Sequence, residues 1–284
     1  MNLEQLNPKQ FAGFRDFIYQ KSGIRINDNK LSLLSNRIRR RLRAGAFDGF
    51  DAYYRHLTSP RGLDELVAFL DEVTTNETSF FRTVAHFDWF KTDFLAEIVT
   101  AKRRDERPPS LRIWSAACAG GAEPYTIAIC LLENLFRLRN WSLTILGTDI
   151  SEDALEAARE GIFKSRSIEA VSERQRRRYF RAAQDNNDSW RVCETVRRMA
   201  RFSRHNLMTR SPEEPFDCIF IRNVLIYFDR ESKKTVVDNL IEALAPGGYL
   251  VVGPSEGIYD MLDPLQRHCP FLYQKPHEAG SLAP

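Results

Sequence analysis

The sequence predicts an α/β protein: a mostly parallel sheet covered by helices, preceded by a small all-α domain and carrying a small inserted β-subdomain. Three observations predict it. From residue 111 onward, short apolar β-rich runs alternate with helical patterns, as in a parallel sheet with helices on both faces. Before residue 75 the apolar residues recur at helical spacing. Between about 161 and 197 the rhythm breaks into a polar, arginine-rich stretch with short strand-like pieces. The chain therefore divides into a helical domain at 1–75, a connecting segment at 76–110 and an α/β domain at 111–277, the insert lying inside the last.

Each element has its own signal. Phe11, Phe14 and Ile18 set a first helix, and Leu31, Leu34, Ile38 and Leu42 a second. Ser22-Gly23 and Asn27-Asp28 separate them, and Ala44-Gly45 ends the second. A third begins at Phe50, Tyr53, Tyr54 and Leu57, and a fourth covers 63–73. Residues 76–82 lead to a connecting helix over about 84–102, closed by the polar stretch 103–110 with its Pro108-Pro109 pair. Strand 111–116, helix 123–137, strand 142–149 and helix 152–160 follow. In the insert, 184–188 is a turn cluster, with 190–192 and 195–197 as short strands. Residues 199–202 make another strand. Strand 216–222, helix 231–245, a stop and turn at Ala245-Pro246-Gly247-Gly248, and strands 248–253 and 270–275 complete the domain. The tail after Lys275 is expected to be disordered.

Composition narrows the class. With 43% hydrophobic and 28% charged residues, the chain reads as a soluble globular protein. No apolar run approaches the ~20 residues of a membrane span, and the start lacks the basic-then-apolar pattern of a signal peptide. The cytoplasm is the expected compartment and a monomer the expected state. Cys118, Cys130, Cys193, Cys218 and Cys269 form no C-x-x-C, and no histidine pair has ligand spacing, so neither a disulfide framework nor a metal site is expected.

The stretch from Trp114 to Tyr125 carries the most chemistry. An apolar strand runs into Ala117-Cys118-Ala119-Gly120-Gly121, and a helix opens at Glu123-Pro124. Small residues at this handover let a ligand lie against bare backbone. Such a turn after the first strand of an α/β sheet is where nucleotide-like cofactors bind. The next strand ends on Asp149, and a carboxylate there suits a ribose diol. The turn is neither G-x-G-x-x-G nor a P-loop, which disfavours dinucleotides and triphosphates. S-adenosylmethionine has a ribose, an adenine and no phosphate, and it fits what remains. The competing reading is a plain βαβ turn, against which the glycines and Asp149 weigh together. Cys118 as a nucleophile is disfavoured, because methyl transfer needs no enzyme thiolate.

Four further segments point to a family. Asn76-Glu77-Thr78-Ser79-Phe80-Phe81-Arg82 resembles the N-x-T-x-F-F-R signature of the chemotaxis receptor methyltransferases, the CheR type. Gly147-Thr148-Asp149-Ile150-Ser151 resembles their acidic strand end, and Arg222-Asn223-Val224-Leu225-Ile226-Tyr227-Phe228 their R-N-V-[LM]-I-Y-F motif. Asn206-Leu207 is similar to their adenine-side pair. The resemblance covers about residues 8 to 275.

It implies a class I, Rossmann-like S-adenosylmethionine-dependent methyltransferase domain, with S-adenosyl-L-homocysteine as product. It further implies formation of glutamate methyl esters on the cytoplasmic helical bundle of chemoreceptors. The cofactor contacts it implies are Asn76, Thr78, Arg82, Ala117, Gly120, Glu123, Asp149, Asn206, Leu207, Arg222 and Asn223. Arg82, Tyr227 and Arg222 would be catalytic. A carboxylate nucleophile is ionised at pH 7, so alignment matters more than a general base. One departure is Ala122-Glu123, where the family often has two adjacent acids; Glu123 matches the second.

Arg37, Arg39, Arg40, Arg41 and Arg43 would give a basic helix that steers receptor docking, or only a solvated face. Nucleic acid is not expected as a partner, since net charge is only +3 and no aromatic platform interleaves with the arginines. Tethered family members carry a glycine-containing loop in the insert, whereas 182–188 has no glycine. Independence from a receptor C-terminal pentapeptide is therefore expected. Two other functions stay open: a methyltransferase acting on RNA or a small molecule, and a receptor-binding module without catalysis.

Overall fold

The structure, a computed structural model, describes residues 5–104, 106–183, 188–211, 213 and 215–277. The helical domain holds α1 (Pro8–Ser22), α2 (Leu31–Ala44), α3 (Phe50–Leu57) and α4 (Leu63–Val73). Asn7 caps α1 with a reciprocal Gln10 bond, and Pro8 opens its first turn. The helix ends at Gly23 in the left-handed conformation, φ +74°. A Cβ there would stand 2.5 Å from Met208 Sδ, so this glycine also lets α1 abut the α/β domain. Phe14, Tyr53 and Phe69 interlock at the centre, with centroids 6.0–6.1 Å apart. Burying rings of this kind stabilises by roughly 1.5–3 kcal/mol each.

The connecting helix is α5 (Val84–Trp89) and α6 (Leu95–Arg103), joined without a break by a π turn at Phe90–Phe94. The wider turn suits a run of rings: Phe87 stacks on Phe220 at 5.8 Å and Phe94 meets Tyr249 edge-on at 5.8 Å.

The α/β domain then runs β1 (Ser110–Ala116), α7 (Ala122–Glu133), β2 (Ser142–Asp149) and α8 (Glu152–Glu160). The insert supplies β3 (Ile162–Lys164), α9 (Glu173–Tyr179), β4 (Phe180–Ala182), β5 (Ser189–Val192) and α10 (Glu194–Arg197). β6 (Ala200–Arg204), β7 (Phe216–Ile221), α11 (Arg230–Ala243), β8 (Leu244–Val252), β9 (Gln266–Cys269) and β10 (Leu272–Gln274) complete it. The main sheet has the order β6-β2-β1-β7-β8-β10-β9, and the insert forms its own sheet, β3-β5-β4. Strands β6 to β8 are parallel, and β10 is antiparallel to both its neighbours. Numbered within the main sheet alone, this order is 3-2-1-4-5-7-6, the class I arrangement.

The near-continuous apolar runs of β1, β7 and β8 follow from burial on both faces. Ile113, Cys218, Phe220 and Val251 point into the layer of α5 to α7, and Trp114, Ile219, Ile221 and Val252 into the opposite layer. Chain order reverses between β1 and β7, so the crevice at their carboxyl ends is the expected ligand site.

Several expected boundaries change. Helix 123–137 stops at Glu133. Residues 195–197 lie in α10 rather than a strand, because Val196 turns into the core as a helix face does. The expected stop at 245–248 is a bulge inside β8, whose pairing with β7 skips from Phe216↔Leu244 to Cys218↔Tyr249. β9 was not anticipated; its polar residues lie on a sheet edge. The turn cluster and tail expectations fall on 184–187 and 278–284, outside the described residues.

Candidate active site

At the crevice the small-residue loop is held in an unusual shape. Ala117, Ala119 and Gly121 have φ of +57°, +48° and +87°. The Cys118 amide donates to the Thr148 carbonyl at 2.8 Å. Asp149 fastens the loop from β2: its Oδ2 accepts from the Ala119 amide at 2.9 Å and its Oδ1 from the Ser151 amide at 3.0 Å. Burial pushes the Asp149 carboxyl up, and the amides of Ser151, Ala119 and Ile150 oppose that. Each oxygen keeps a second lone pair, and the residue lines a cavity of about 420 Å³.

The glycine the backbone demands is Gly121, where a Cβ would stand 2.7 Å from the Ala158 Cβ. Gly120 meets only Thr78 Cγ2 at 3.9 Å, and it borders an adjoining groove rather than the cavity. Cys118 lines the cavity, but burial pushes its thiol well up, away from a thiolate nucleophile.

Arg222, at the end of β7, is almost fully buried. It donates to Glu123 Oε2 at 2.8 Å and to the Arg82 carbonyl, and lies over the Phe87 ring at 5.5 Å. Ser115 Oγ donates to the other Glu123 oxygen at 2.7 Å. Arg222 thus bolts together three motifs separated in the chain. It also lines the cavity, so Arg222 positions the motifs around the site, and the catalytic role expected of it stays a proposal. Glu123 likewise has both oxygens engaged before any ammonium arrives.

Asn223 follows with φ +60°, a strained value for a non-glycine residue. The fully buried Glu256 holds it: Glu256 Oε1 accepts from the Asn223 amide and Oε2 from the Leu225 amide at 2.8 Å. Burial pushes this carboxyl up. Gly253 is required because a Cβ there would collide with Glu256 Oε1. Sequence reasoning missed Glu256. A lone acid just after an apolar strand, at the same sheet edge as Asp149, was the available signal.

The cavity walls come from both domains. Asn206 Nδ2 donates to the Lys21 carbonyl of α1 at 2.9 Å, and Asn76 Nδ2 to Ser151 Oγ at 3.0 Å. Ile24 bridges Phe228, and the Arg25 amide donates to the Tyr227 carbonyl at 2.8 Å. Thr78, Ala117, Leu207 and Asn223 line the same cavity. The helical domain's share in the walls was not anticipated, since nothing in local spacing reports a contact across 185 positions.

Arg82 and Tyr227 differ from the rest. Both are exposed, both line the cavity, and neither side chain has a hydrogen-bond partner among the described residues. Phe81 and Thr83, at φ +52° and +61°, flank Arg82. Five of the seven non-glycine residues with positive φ among those described therefore sit in this site, as strain at functional positions does.

The arginine run of α2 is divided. Arg41 clamps Glu65 with two 2.9 Å bonds, Arg40 bonds Glu72 at 2.6 Å, and Arg37 donates to the Val73 carbonyl and to Thr75 at 3.2 Å. These bonds hold α2 to α4 and the connecting segment, so Arg37 and Arg41 have structural roles beside the docking role expected of them. Arg39 lies beside Asn36, and Arg43 is exposed.

The family description "CheR methyltransferase, all-alpha domain" matches residues 9–74, and "CheR methyltransferase, SAM binding domain" matches 76–268. Chemotaxis protein methyltransferase 2 of Vibrio cholerae is 34% identical over 262 residues, covering 91% of this chain and 88% of that protein. The chemotaxis protein methyltransferase of Borreliella burgdorferi is 35% identical, with 85% of each chain covered. That of Escherichia coli is 33% identical over 88% of this chain and 85% of its own. The cavity suits the cofactor, with the buried Asp149 at the end of β2 in its wall and a volume in the range of small-molecule sites. The chain belongs to the CheR methyltransferase family, and its cofactor is S-adenosylmethionine.

Proposed function

We propose that this protein methylates glutamate side-chain carboxylates on the cytoplasmic helical bundle of chemoreceptors, acting in the cytoplasm as a protein-glutamate O-methyltransferase. The cofactor, when bound, supplies an electrophilic methyl on a sulfonium. Asp149, which lines the cavity, would accept hydrogen bonds from the ribose hydroxyls, and Asn206 and Leu207 would bound the adenine side. Asn76, Thr78, Ala117 and Asn223 complete the walls, and Glu123 and Arg222 keep the motifs in register. Arg82 would steer the substrate carboxylate, and the Tyr227 hydroxyl would help align it for attack on that methyl.

One observation carries the reading: a cationic and a phenolic side chain, both exposed and neither hydrogen-bonded among the described residues, stand at one cavity with the acid that ends β2. A carboxylate is the nucleophile that such a pair would orient without a base. Methyl-labelled cofactor incubated with receptor fragments tests it. Label released as methanol by mild alkali is the expected result. Alkali-stable label, or transfer only to RNA or a small molecule, would overturn it. Cofactor binding without any turnover would point to a receptor-binding module.

A further inference from the structure

We infer a second, anion-binding subsite beside the methyl-transfer site, formed by Lys164 and Arg166 of the insert together with Arg82, that receives acidic side chains of the substrate segment. This rests on the glutamate reading above. A groove of about 440 Å³ opens next to the cofactor cavity and shares Asn76, Glu77, Thr78, Ser79 and Arg82 with it. Its far wall is the insert, at Ile162, Lys164 and Arg166.

The three cations of this groove differ from others nearby. Among the described residues, Arg176 and Arg177 pair with Glu173, and Arg197 and Arg198 with Glu194. Lys164, Arg166 and Arg82 are exposed and have no acidic partner there. Glu77 is the one acid lining the groove among the described residues, so positive charge prevails. Exposed cations left unpaired in a concave surface raise the local concentration of anionic ligands.

The groove is also rigidly placed. The Phe80 amide donates to the Ser167 carbonyl at 2.9 Å, and the Phe80 ring packs edge-on against Phe163 at 4.8 Å and Phe180 at 5.0 Å. The segment that presents Arg82 is therefore seated directly on the strand that presents Lys164. A peptide whose carboxylate reaches Arg82 lies across this wall, and flanking acids would meet Lys164 and Arg166.

The test compares Lys164→Gln/Arg166→Gln with the unaltered protein. Substrates are an acidic receptor fragment and the same fragment with its flanking acids changed to amides. The double variant should raise KM for the acidic fragment about three- to tenfold, as two exposed ion pairs allow. Turnover and S-adenosylhomocysteine affinity should stay unchanged. For the amidated fragment the two proteins should give equal KM. An unchanged KM for the acidic fragment overturns the subsite. If no fragment is methylated at all, the function proposed above fails. Fluorescence anisotropy of the labelled acidic fragment on the S-adenosylhomocysteine-loaded protein then reads the subsite directly, and equal affinity for both proteins overturns it.

Discussion

The second helix and the substrate-side groove both present several cations, yet they do opposite things with them. On α2, Arg37, Arg40 and Arg41 are bonded to α4 and the segment after it. Around the groove, Lys164, Arg166 and Arg82 have no acceptor among the described residues. The denser cluster in the chain is thus the less available one. Charge density along a sequence counts cations; only the fold says which are already engaged.

The largest effect should come from the most thoroughly engaged cation. Arg222→Ala leaves Glu123 buried without its counter-ion, which costs on the order of 3–5 kcal/mol of folding stability. Denaturant unfolding measures it, and a loss below about 1 kcal/mol would mean the bridge is not a structural bolt.

His86 sharpens the same point through pH. Burial, and then the charge of Arg222, push its pKa down to about 3. The unfolded chain therefore binds a proton between about pH 6.5 and 3 that the folded one does not. Stability should fall as pH drops through that window, by on the order of 1.4 kcal/mol per unit at most. His86→Phe should flatten that part of the stability profile; an unchanged slope would assign the loss to other groups.

Glu256→Gln places an amide NH₂ where a backbone amide needs an acceptor, costing roughly 1–3 kcal/mol. Since Glu256 holds the turn that carries Tyr227, turnover should drop while S-adenosylhomocysteine affinity moves less. Parallel loss of both would mean the turn serves the cofactor alone.

The smallest effect is expected where the two regions are most alike. Arg39→Glu/Arg43→Glu should change stability by less than about 0.5 kcal/mol. If α2 still docks the receptor, methylation by this variant should weaken at low salt and converge with the unaltered protein at high salt. Equal activity at all salt concentrations would end the docking role of this run.

The sheet was legible because β1, β7 and β8 are nearly continuous apolar runs and the glycine-bearing turn between β1 and α7 is local. Asp149, Arg82 and Tyr227 were legible as parts of short motifs. What those residues bond to was not. Arg222 reaches Glu123 across 99 positions, and Asn206 reaches Lys21 across 185. Periodicity reports neighbours within a few residues, so Glu256 and the helical domain's part in the cavity left no trace in it. α10 was misread for a related reason: four residues are too few for a period to declare itself.

The Asn206–Lys21 and Arg25–Tyr227 bonds make the cavity a seam between two domains. A ligand that fills a seam contributes to holding its two sides together, so cofactor binding and domain docking form one thermodynamic cycle. At a hundredfold excess over its dissociation constant, such a ligand adds about 2.7 kcal/mol to the closed form. The summed concentration of the cofactor and its demethylated product would then govern domain docking as well as methyl supply: either one, when bound, would strengthen the seam, and release of the spent molecule would leave the two domains least firmly joined.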